Sequence, residues 1–169
     1  MEEKWNEIKK AIKNNEIDHV VEICNEMSGT EKNTVEDKLI QELRCTDEVC
    51  YRNTIAIILG DLGCDKAIDV LIELILDPRN KDCRGTFIYA LEGLNCEHKL
   101  IQLMHILTDG NYEVKWNMYA LLSEKIGVMN ERDKRGCIDI LKKDIDKLEE
   151  ALGCMEDILY HIFMYEDPS

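Results

Sequence analysis

The sequence has few of the residues that interrupt helices. Only 2 proline and 9 glycine residues occur among 169, and aromatic side chains make up 6% of the chain. Leu, Ile, Lys and Glu are frequent instead, a composition typical of helix-rich proteins. A chain of this length that is 45% hydrophobic buries one sizeable core and is too short for two ordinary domains. We therefore expect a single all-α domain.

Signals for export, membrane insertion and metal binding are also missing. The first five residues include Glu2 and Glu3 and lack the basic and then apolar start of a signal peptide. The longest apolar run, residues 55–59, is far shorter than the roughly 20 residues that a helix needs to cross a bilayer. The 8 cysteines are evenly spread and never form C-x-x-C, so we expect reduced, mostly buried thiols. These features predict a cytoplasmic protein without a membrane span or a metal site.

Motifs for catalysis and phosphate binding are absent as well. The chain contains no G-x-x-x-x-G-K-[ST], G-x-G-x-x-G, G-x-S-x-G or H-E-x-x-H sequence. Neighbouring carboxylates are expected by chance among 35 acidic residues, and none lies beside a second sign of catalysis. We therefore expect neither enzymatic activity nor a cofactor.

Acidic residues outnumber basic ones, 35 against 21, and the formal net charge is −14. Such a surface should repel phosphate backbones and attract cationic partners. Direct binding to nucleic acid is therefore not expected. Acidity also keeps a cytosolic protein soluble without any binding role, so that charge alone leaves both interpretations open.

An internal repeat is the main positive signal. Residues 52–77 align with residues 84–109 at a shift of 32 residues. Each segment carries two apolar stripes at helical spacing, separated by a short turn, and therefore predicts a hairpin of two helices. The stripes are Ile55, Ile58, Leu59 and Leu62, then Ile68, Leu71, Ile72 and Ile75, in the first segment, and Phe87, Ala90, Leu91 and Leu94, then Leu100, Leu103, Met104 and Leu107, in the second.

Weaker copies of the pattern flank this pair. One precedes it, with Val20 and Cys24 on its first helix and Leu39 and Leu43 on its second. Another restarts at Val114 and continues into a longer second helix. The apolar stripe of that helix consists of Ile138, Leu141, Ile145, Leu148 and Leu152. We predict an N-terminal cap at about 1–14, about four hairpins at about 16–150 and a C-terminal cap at about 153–165, because terminal repeats must cover an open apolar face.

The segment from Arg52 to Gly63, followed by Ala67-Ile68, Leu71-Ile72 and Asp77, resembles a HEAT repeat of the short bacterial type. The resemblance is clear over about residues 48–125. It implies a right-handed α-solenoid of helix hairpins. It also implies a ladder in which the acid that ends one hairpin pairs with the base that begins the next. The implied pairs are Asp77 with Arg84 and Asp109 with Lys115.

Acidic residues on the second helices predict a binding groove. Asp65, Asp69 and Glu73 lie four residues apart along one polar stripe, and His105 occupies an equivalent position in the next hairpin. Second helices line the concave face of HEAT-like stacks, so the resemblance places these residues in one groove. Tyr112 and Trp116 are expected to flank it. Such a groove suits a basic protein surface, since acids steer association and aromatic rings supply contact area. An ordinary solvated helix face is the alternative.

Three classes of function remain open. The first is an immunity or inhibitor protein that neutralises a bacterial toxin, a cationic nuclease domain above all, by occlusion. The second is a general HEAT-repeat adaptor or scaffold. The third is an enzyme similar to helical-repeat DNA glycosylases, which the acidic charge disfavours because such enzymes need a basic face to hold a duplex.

Overall fold

The chain folds into helices. A computed structural model describes residues 2–165, with the backbone alone for Tyr165, and none of these residues lies in a β-strand. The α-helices are α1 Glu2–Lys13, α2 Ile17–Asn25, α3 Gly29–Cys45, α4 Val49–Asp61, α5 Ile68–Leu76, α6 Gly85–Ala90, α7 Ile106–Asp109, α8 Tyr112–Lys125 and α9 Glu131–Tyr165. Short 3₁₀ helices span Asp65–Ala67, Pro78–Asn80 and Glu97–Leu103. The all-α prediction is confirmed. Met1, at the start of the predicted N-terminal cap, lies outside the described residues.

The helices pack in two rows. In one row α4 packs against α6, and α6 packs against α8. In the other row α3 packs against α5, α5 against the 3₁₀ helix Glu97–Leu103, and this 3₁₀ helix against α9. α1 and α2 pack on each other and on α4. Equivalent positions of successive hairpins are therefore brought side by side.

Polar side chains cap the starts of several of these helices, among them α3 and α8. The Ser28 hydroxyl accepts a hydrogen bond from the backbone N–H of Glu31, whose carboxylate accepts one from the Ser28 N–H, so that α3 begins with a capping box. The Asn111 side chain accepts from the Val114 N–H at 3.0 Å and begins α8 in a similar way.

The apolar stripes of the two central hairpins form the core. All their residues are buried except Leu62 and Leu107, which are half-buried. Gly60 lets α4 approach α6 backbone to backbone, because a Cβ at this position would lie 2.6 Å from the Ala90 carbonyl oxygen. No helix within residues 2–165 is both long enough and apolar enough to cross a membrane.

The second helix of the second hairpin differs from the α-helix predicted for it. It consists of the 3₁₀ helix Glu97–Leu103 followed by the short α7. Leu100, Leu103 and Met104 are buried as expected. An apolar spacing of three residues places side chains on one face in both helix types, so the pattern alone could not distinguish them.

The predicted C-terminal layout is wrong. The expected last second helix and the cap at about 153–165 are one continuous helix, α9. Gly153 weakens a helix by about 1 kcal/mol but does not end it. α9 buries Cys137 and Asp144, and no side chain from residue 145 to residue 164 is buried. The segment therefore does not cover the core, and four of the residues expected to be buried in the last hairpin are exposed: Ile138, Ile145, Leu148 and Leu152.

The ladder has a different register from the one that the HEAT resemblance implies. Arg84, with a side chain only 5% exposed, donates to Asp109 at 2.6 Å rather than to Asp77. Asp77 instead caps the 3₁₀ helix Pro78–Asn80 and binds Arg79 at 2.6 Å. Lys115 is exposed and pairs with no acid among residues 2–165. Arg84 thus reaches the acid that follows it, whereas the acid before it, Asp77, is engaged by Arg79.

Candidate functional site

The three predicted groove acids are each engaged by a neighbouring hairpin. Asp65 accepts hydrogen bonds from the backbone N–H of Asn95 at 3.0 Å and from its side-chain amide at 2.7 Å. The Asp69 carboxylate lies 2.8 Å from the Lys99 ammonium. The Glu73 carboxylate lies 3.2 Å from the Arg44 guanidinium. These acids therefore link successive hairpins.

The same contacts compensate the charge of this stripe. Hydrogen bonds from Asn95 hold the pKa of Asp65 below its usual value, and the hydrogen bond and charge of Lys99 do the same for Asp69. A partner must displace or share Lys99 and Arg44 to reach the stripe. The free negative charge of the stripe is therefore smaller than the sequence alone suggests.

The predicted contact His105 is bound within the chain. Its Nδ1 lies 2.9 Å from the carboxylate of Asp144, whose side chain is 5% exposed. Contact with His105 lowers the pKa of Asp144. This pair joins the N-terminal half of α9 to the turn before α7, so His105 is engaged within the chain.

Tyr112 and Trp116 lie on an open aromatic face of α8. Tyr112 is 83% exposed and Trp116 is 60% exposed. Tyr119, which was not among the predicted contacts, is 64% exposed and lies with its ring centroid 5.9 Å from that of Trp116. Residues at i, i+4 and i+7 share one helix face. The six predicted residues thus fall into three groups with different contacts: the linked acids, His105 with Asp144, and the aromatic face of α8.

A further acidic surface lies where three first helices end. Asp61 is the last residue of α4, Glu92 follows the end of α6, and Glu124 is in the last turn of α8. They line a groove of about 410 Å³, here called the end groove. Its other lining residues are Gly60, Gly63, Tyr89, Ala90 and Gly93.

The carboxylates of the end groove are poorly compensated. Burial, together with the charge of Asp18, raises the pKa of Asp61. Burial and the charge of Glu124 raise the pKa of Glu92, and the positive charge of Lys125 partly opposes this shift. Within residues 2–165 neither Asp61 nor Glu92 forms an ion pair, whereas Glu124 binds its neighbour Lys125 at 2.9 Å. The partial negative charge at helix C-termini adds to the same potential.

The acidic surface continues beyond the end groove. A second cavity, of about 500 Å³, shares Asp61 with it and also contains Glu16 and Asp18 at the start of α2. Acidic side chains therefore follow one edge of the molecule from α2 to α8. This arrangement can receive several ammonium or guanidinium groups along an extended surface.

The spacing of these carboxylates does not suit a single metal ion. Among the residues that the structure describes, no group of three or more His, Cys, Asp or Glu side chains is placed to hold one. Side-chain cations distributed over a protein surface fit a row of separate carboxylates better.

Sequence reasoning missed the end groove, although the sequence contains a signal of it. Asp61, Glu92 and Glu124 recur at intervals of 31 and 32 residues, close to the repeat length. An acid at a helix end is ordinarily solvated, so only the packing of α4, α6 and α8 distinguishes this row from the rest of the acidic surface.

The cysteines lie in two environments. Cys24, Cys64, Cys96 and Cys137 are buried, Cys83 is half-buried, and the other three are exposed; all are free thiols. Burial raises the pKa of Cys64 and of Cys96 to about 11. Thiols of such high pKa are poor nucleophiles at neutral pH, which agrees with a packing role in the two inter-helix turns.

Comparison with protein-family models, with curated proteins and with solved structures found no match to this chain.

Proposed function

We propose that this protein is a non-catalytic binding module that holds a basic protein partner at the end groove. More specifically, we propose an immunity or inhibitor protein that neutralises a bacterial toxin by occluding a cationic domain, such as that of a nuclease. The observation that carries this proposal is that the carboxylates of Asp61 and Glu92 line one groove and form no ion pair within residues 2–165.

Electrostatic energy favours binding of a cationic group at the end groove. Negative side chains at helix C-termini are unfavourable by roughly 0.3–1 kcal/mol each at exposed sites, whereas Lys or Arg would be favourable there. Asp61 and Glu92 occupy such positions and lie near further acids. A cationic partner would reverse this penalty, because each carboxylate would gain a counter-charge. Tyr89, 48% exposed at the groove, supplies the aromatic contact area typical of protein interfaces.

The predicted acidic stripe is less suited to the same role. Asp69 and Glu73 already bind Lys99 and Arg44, so a partner would exchange one cation for another with little gain. We propose that the stripe contributes mainly to the linkage of hairpins. Tyr112 and Trp116 remain proposed contacts, since their rings are exposed.

The finer architecture is part of the proposal. We propose a right-handed solenoid of the HEAT type, supported by the two rows of helices and by the side-by-side packing of hairpins that repeat every 32 residues. In such an arrangement, equivalent helix ends lie in a line. This would explain why acids at repeat-equivalent positions form one groove.

The binding site can be tested with a nona-arginine peptide as a defined cationic probe. We compare Asp61→Asn/Glu92→Gln/Glu124→Gln with the matched stripe variant Asp65→Asn/Asp69→Asn/Glu73→Gln, which removes the same number of charges. Isothermal titration at low salt should show affinity falling about tenfold or more in the groove variant, and much less in the stripe variant. Equal losses would mean that the probe senses only net charge and would remove the end groove from the proposal.

The toxin assignment needs a test in cells. The chain is co-expressed with a cationic toxin domain encoded beside its gene, and survival is measured for the wild type and for the groove variant. Protection by the wild type alone supports occlusion through the end groove. If the peptide binds the groove but the wild type protects against no such toxin, a general adaptor or scaffold becomes the better assignment.

A further inference from the structure

The C-terminal part of α9 extends beyond the packed body with an apolar face uncovered. Its large apolar side chains from residue 145 to residue 164 are between 49% and 66% exposed. They are Ile145, Leu148, Leu152, Met155, Ile158, Leu159, Tyr160, Ile162, Phe163 and Met164. Isolated helices are only marginally stable in water, and contiguous apolar surface of this kind marks a contact site.

The spacing of the apolar residues on this face indicates which kind of partner would bury them. Steps of three and four residues alternate without interruption along α9 through eight positions, here called the seam. The seam consists of Ile138, Leu141, Ile145, Leu148, Leu152, Met155, Leu159 and Ile162. Such a repeat averages 3.5 residues and is the a/d pattern of a coiled coil. The fitting partner is therefore another helix with the same repeat. Four exposed apolar residues near the end of α9 lie outside the seam: Ile158, Tyr160, Phe163 and Met164.

We propose that the seam pairs with the seam of a second copy of this chain in antiparallel orientation. Reversal of the helix about its middle superimposes the seam on itself. Ile138 then meets Ile162 of the second copy, and Leu148 meets Leu152 of the second copy, with Leu141 against Leu159 and Ile145 against Met155 between them. Every layer of this pairing is apolar.

Charges beside the seam favour the antiparallel orientation. Positions e of two antiparallel helices face each other, which places Lys142 opposite Glu156 of the second copy, twice by symmetry. A parallel pair would instead set position e against position g, so that Glu156 would face Ala151 of the second copy and the attractive contact with Lys142 would be lost. At the centre of the antiparallel pair Glu149 faces Glu149 of the second copy. This single contact between like charges is outweighed by the two attractive contacts between Lys142 and Glu156.

Net charge adds to this preference. Each chain carries a formal charge of −14, and antiparallel pairing keeps the two acidic bodies at opposite ends of the coiled coil. Parallel pairing would bring them side by side. Repulsion between exposed charges falls steeply beyond a Debye length of about 8 Å at physiological salt.

The packing of α9 on the body leaves most of the seam open. Leu141 is half-buried and packs against the core, whereas the other seven seam residues are exposed. Asp144, which contacts His105, lies at position g of the seam and faces the body. Ile138 is 49% exposed and Lys142 is exposed. The second copy can therefore approach from the side of position e. No residue of the end groove belongs to α9, so this proposal is independent of the proposed function.

The oligomeric state tests the proposal. Size-exclusion chromatography with light scattering, from micromolar to submillimolar protein, should give a dimer. Leu148→Lys/Leu152→Lys should weaken association at least about a hundredfold, because each copy places two charges in the apolar layers. The matched control is Tyr160→Lys/Met164→Lys, which replaces equally exposed residues on the other face of α9. It should leave the dimer intact, and far-ultraviolet circular dichroism should show unchanged helix content in both variants.

Charge reversal tests the orientation. Lys142→Glu alone and Glu156→Lys alone should each weaken the dimer about tenfold, and the two together should restore it. A monomer at all concentrations, or a dimer that survives Leu148→Lys/Leu152→Lys, overturns the proposal. Loss of the dimer in that variant without rescue in the charge-reversed pair overturns the antiparallel register and leaves parallel pairing of the seam.

Discussion

Replacement of Asp61 with Asn together with Glu92 with Gln should raise the free energy of unfolding at neutral pH. Burial and neighbouring acids raise the pKa of both carboxyl groups in the folded chain. Ionised Asp61 and Glu92 are therefore less favourable in the folded state than in the unfolded state. The amide side chains have similar shapes and carry no charge.

The raised pKa values fix the sign of the pH dependence. A group with a raised folded pKa contributes stability that is fully present below its unfolded pKa and is lost as pH rises through its folded pKa. The unfolded values are about 4. The wild type should thus lose stability relative to the double variant above this range, and the two should differ little in acid.

The magnitude is modest because solvent screens both groups. An exposed or half-buried pair of like charges is worth about 0.2–1 kcal/mol. Two such sites give about 1 kcal/mol at pH 7, which corresponds to about 2–4 °C in Tm for a domain of this size.

Thermal and urea unfolding, followed by circular dichroism at pH 7 and pH 4, measures this effect. Asp65→Asn is the matched control, since hydrogen bonds from Asn95 lower the pKa of Asp65. Loss of the Asp65 carboxylate should therefore destabilise the fold at neutral pH. A double variant less stable than the wild type at pH 7, or a gain equal at both pH values, would refute the argument that the end groove is electrostatically strained.

Further outcomes follow from burial and packing. Three thiols should react with a thiol reagent in the native protein and the others mainly after unfolding; the three are Cys45, Cys50 and Cys154. Gly60→Ala should cost about 1–3 kcal/mol in urea unfolding, because its Cβ would meet the Ala90 carbonyl, whereas Gly29→Ala, with open space around it, should cost almost nothing. Asp144→Asn should destabilise the fold at neutral pH but not in acid, since contact with His105 lowers the pKa of Asp144, and a pH series of melting curves checks this.

The all-helical fold and the central hairpins could be predicted because they depend on local periodicity. Ile55, Leu59, Phe87 and Leu91 recur at helical spacing, and burial of one helix face follows from that spacing alone. The prediction failed for α9, whose stripe from residue 145 onward has the same periodicity and is not buried. Periodicity shows that a helix has an apolar face to bury, but it does not show whether the same chain buries that face.

The candidate site could be predicted only in its chemical character. Glu73 binds Arg44, which is 29 residues away in sequence, and Asp69 binds Lys99, which is 30 away. Which base meets which acid depends on how the hairpins are aligned, and a shift by one helical turn exchanges the partners. The charge of −14 was visible in the sequence, but its division into compensated and uncompensated acids was not.

The difference between acids that have partners within the chain and acids that do not bears directly on function. Asp65 and Asp69 lie in one hairpin, whereas Asp61 and Glu92 recur at nearly the repeat length. The fold lowers the pKa of Asp65 and Asp69 and raises the pKa of Asp61 and Glu92. Asp65 and Asp69 stabilise the fold when they are ionised, so a structural role explains these acids without a ligand. Asp61 and Glu92 weaken the fold when ionised, and sites that lower stability are where binding roles concentrate, because activity and stability compete there. A cationic partner would remove this penalty, and we therefore expect such a partner to gain more from binding at the end groove than at Asp65 and Asp69, which already have partners within the chain.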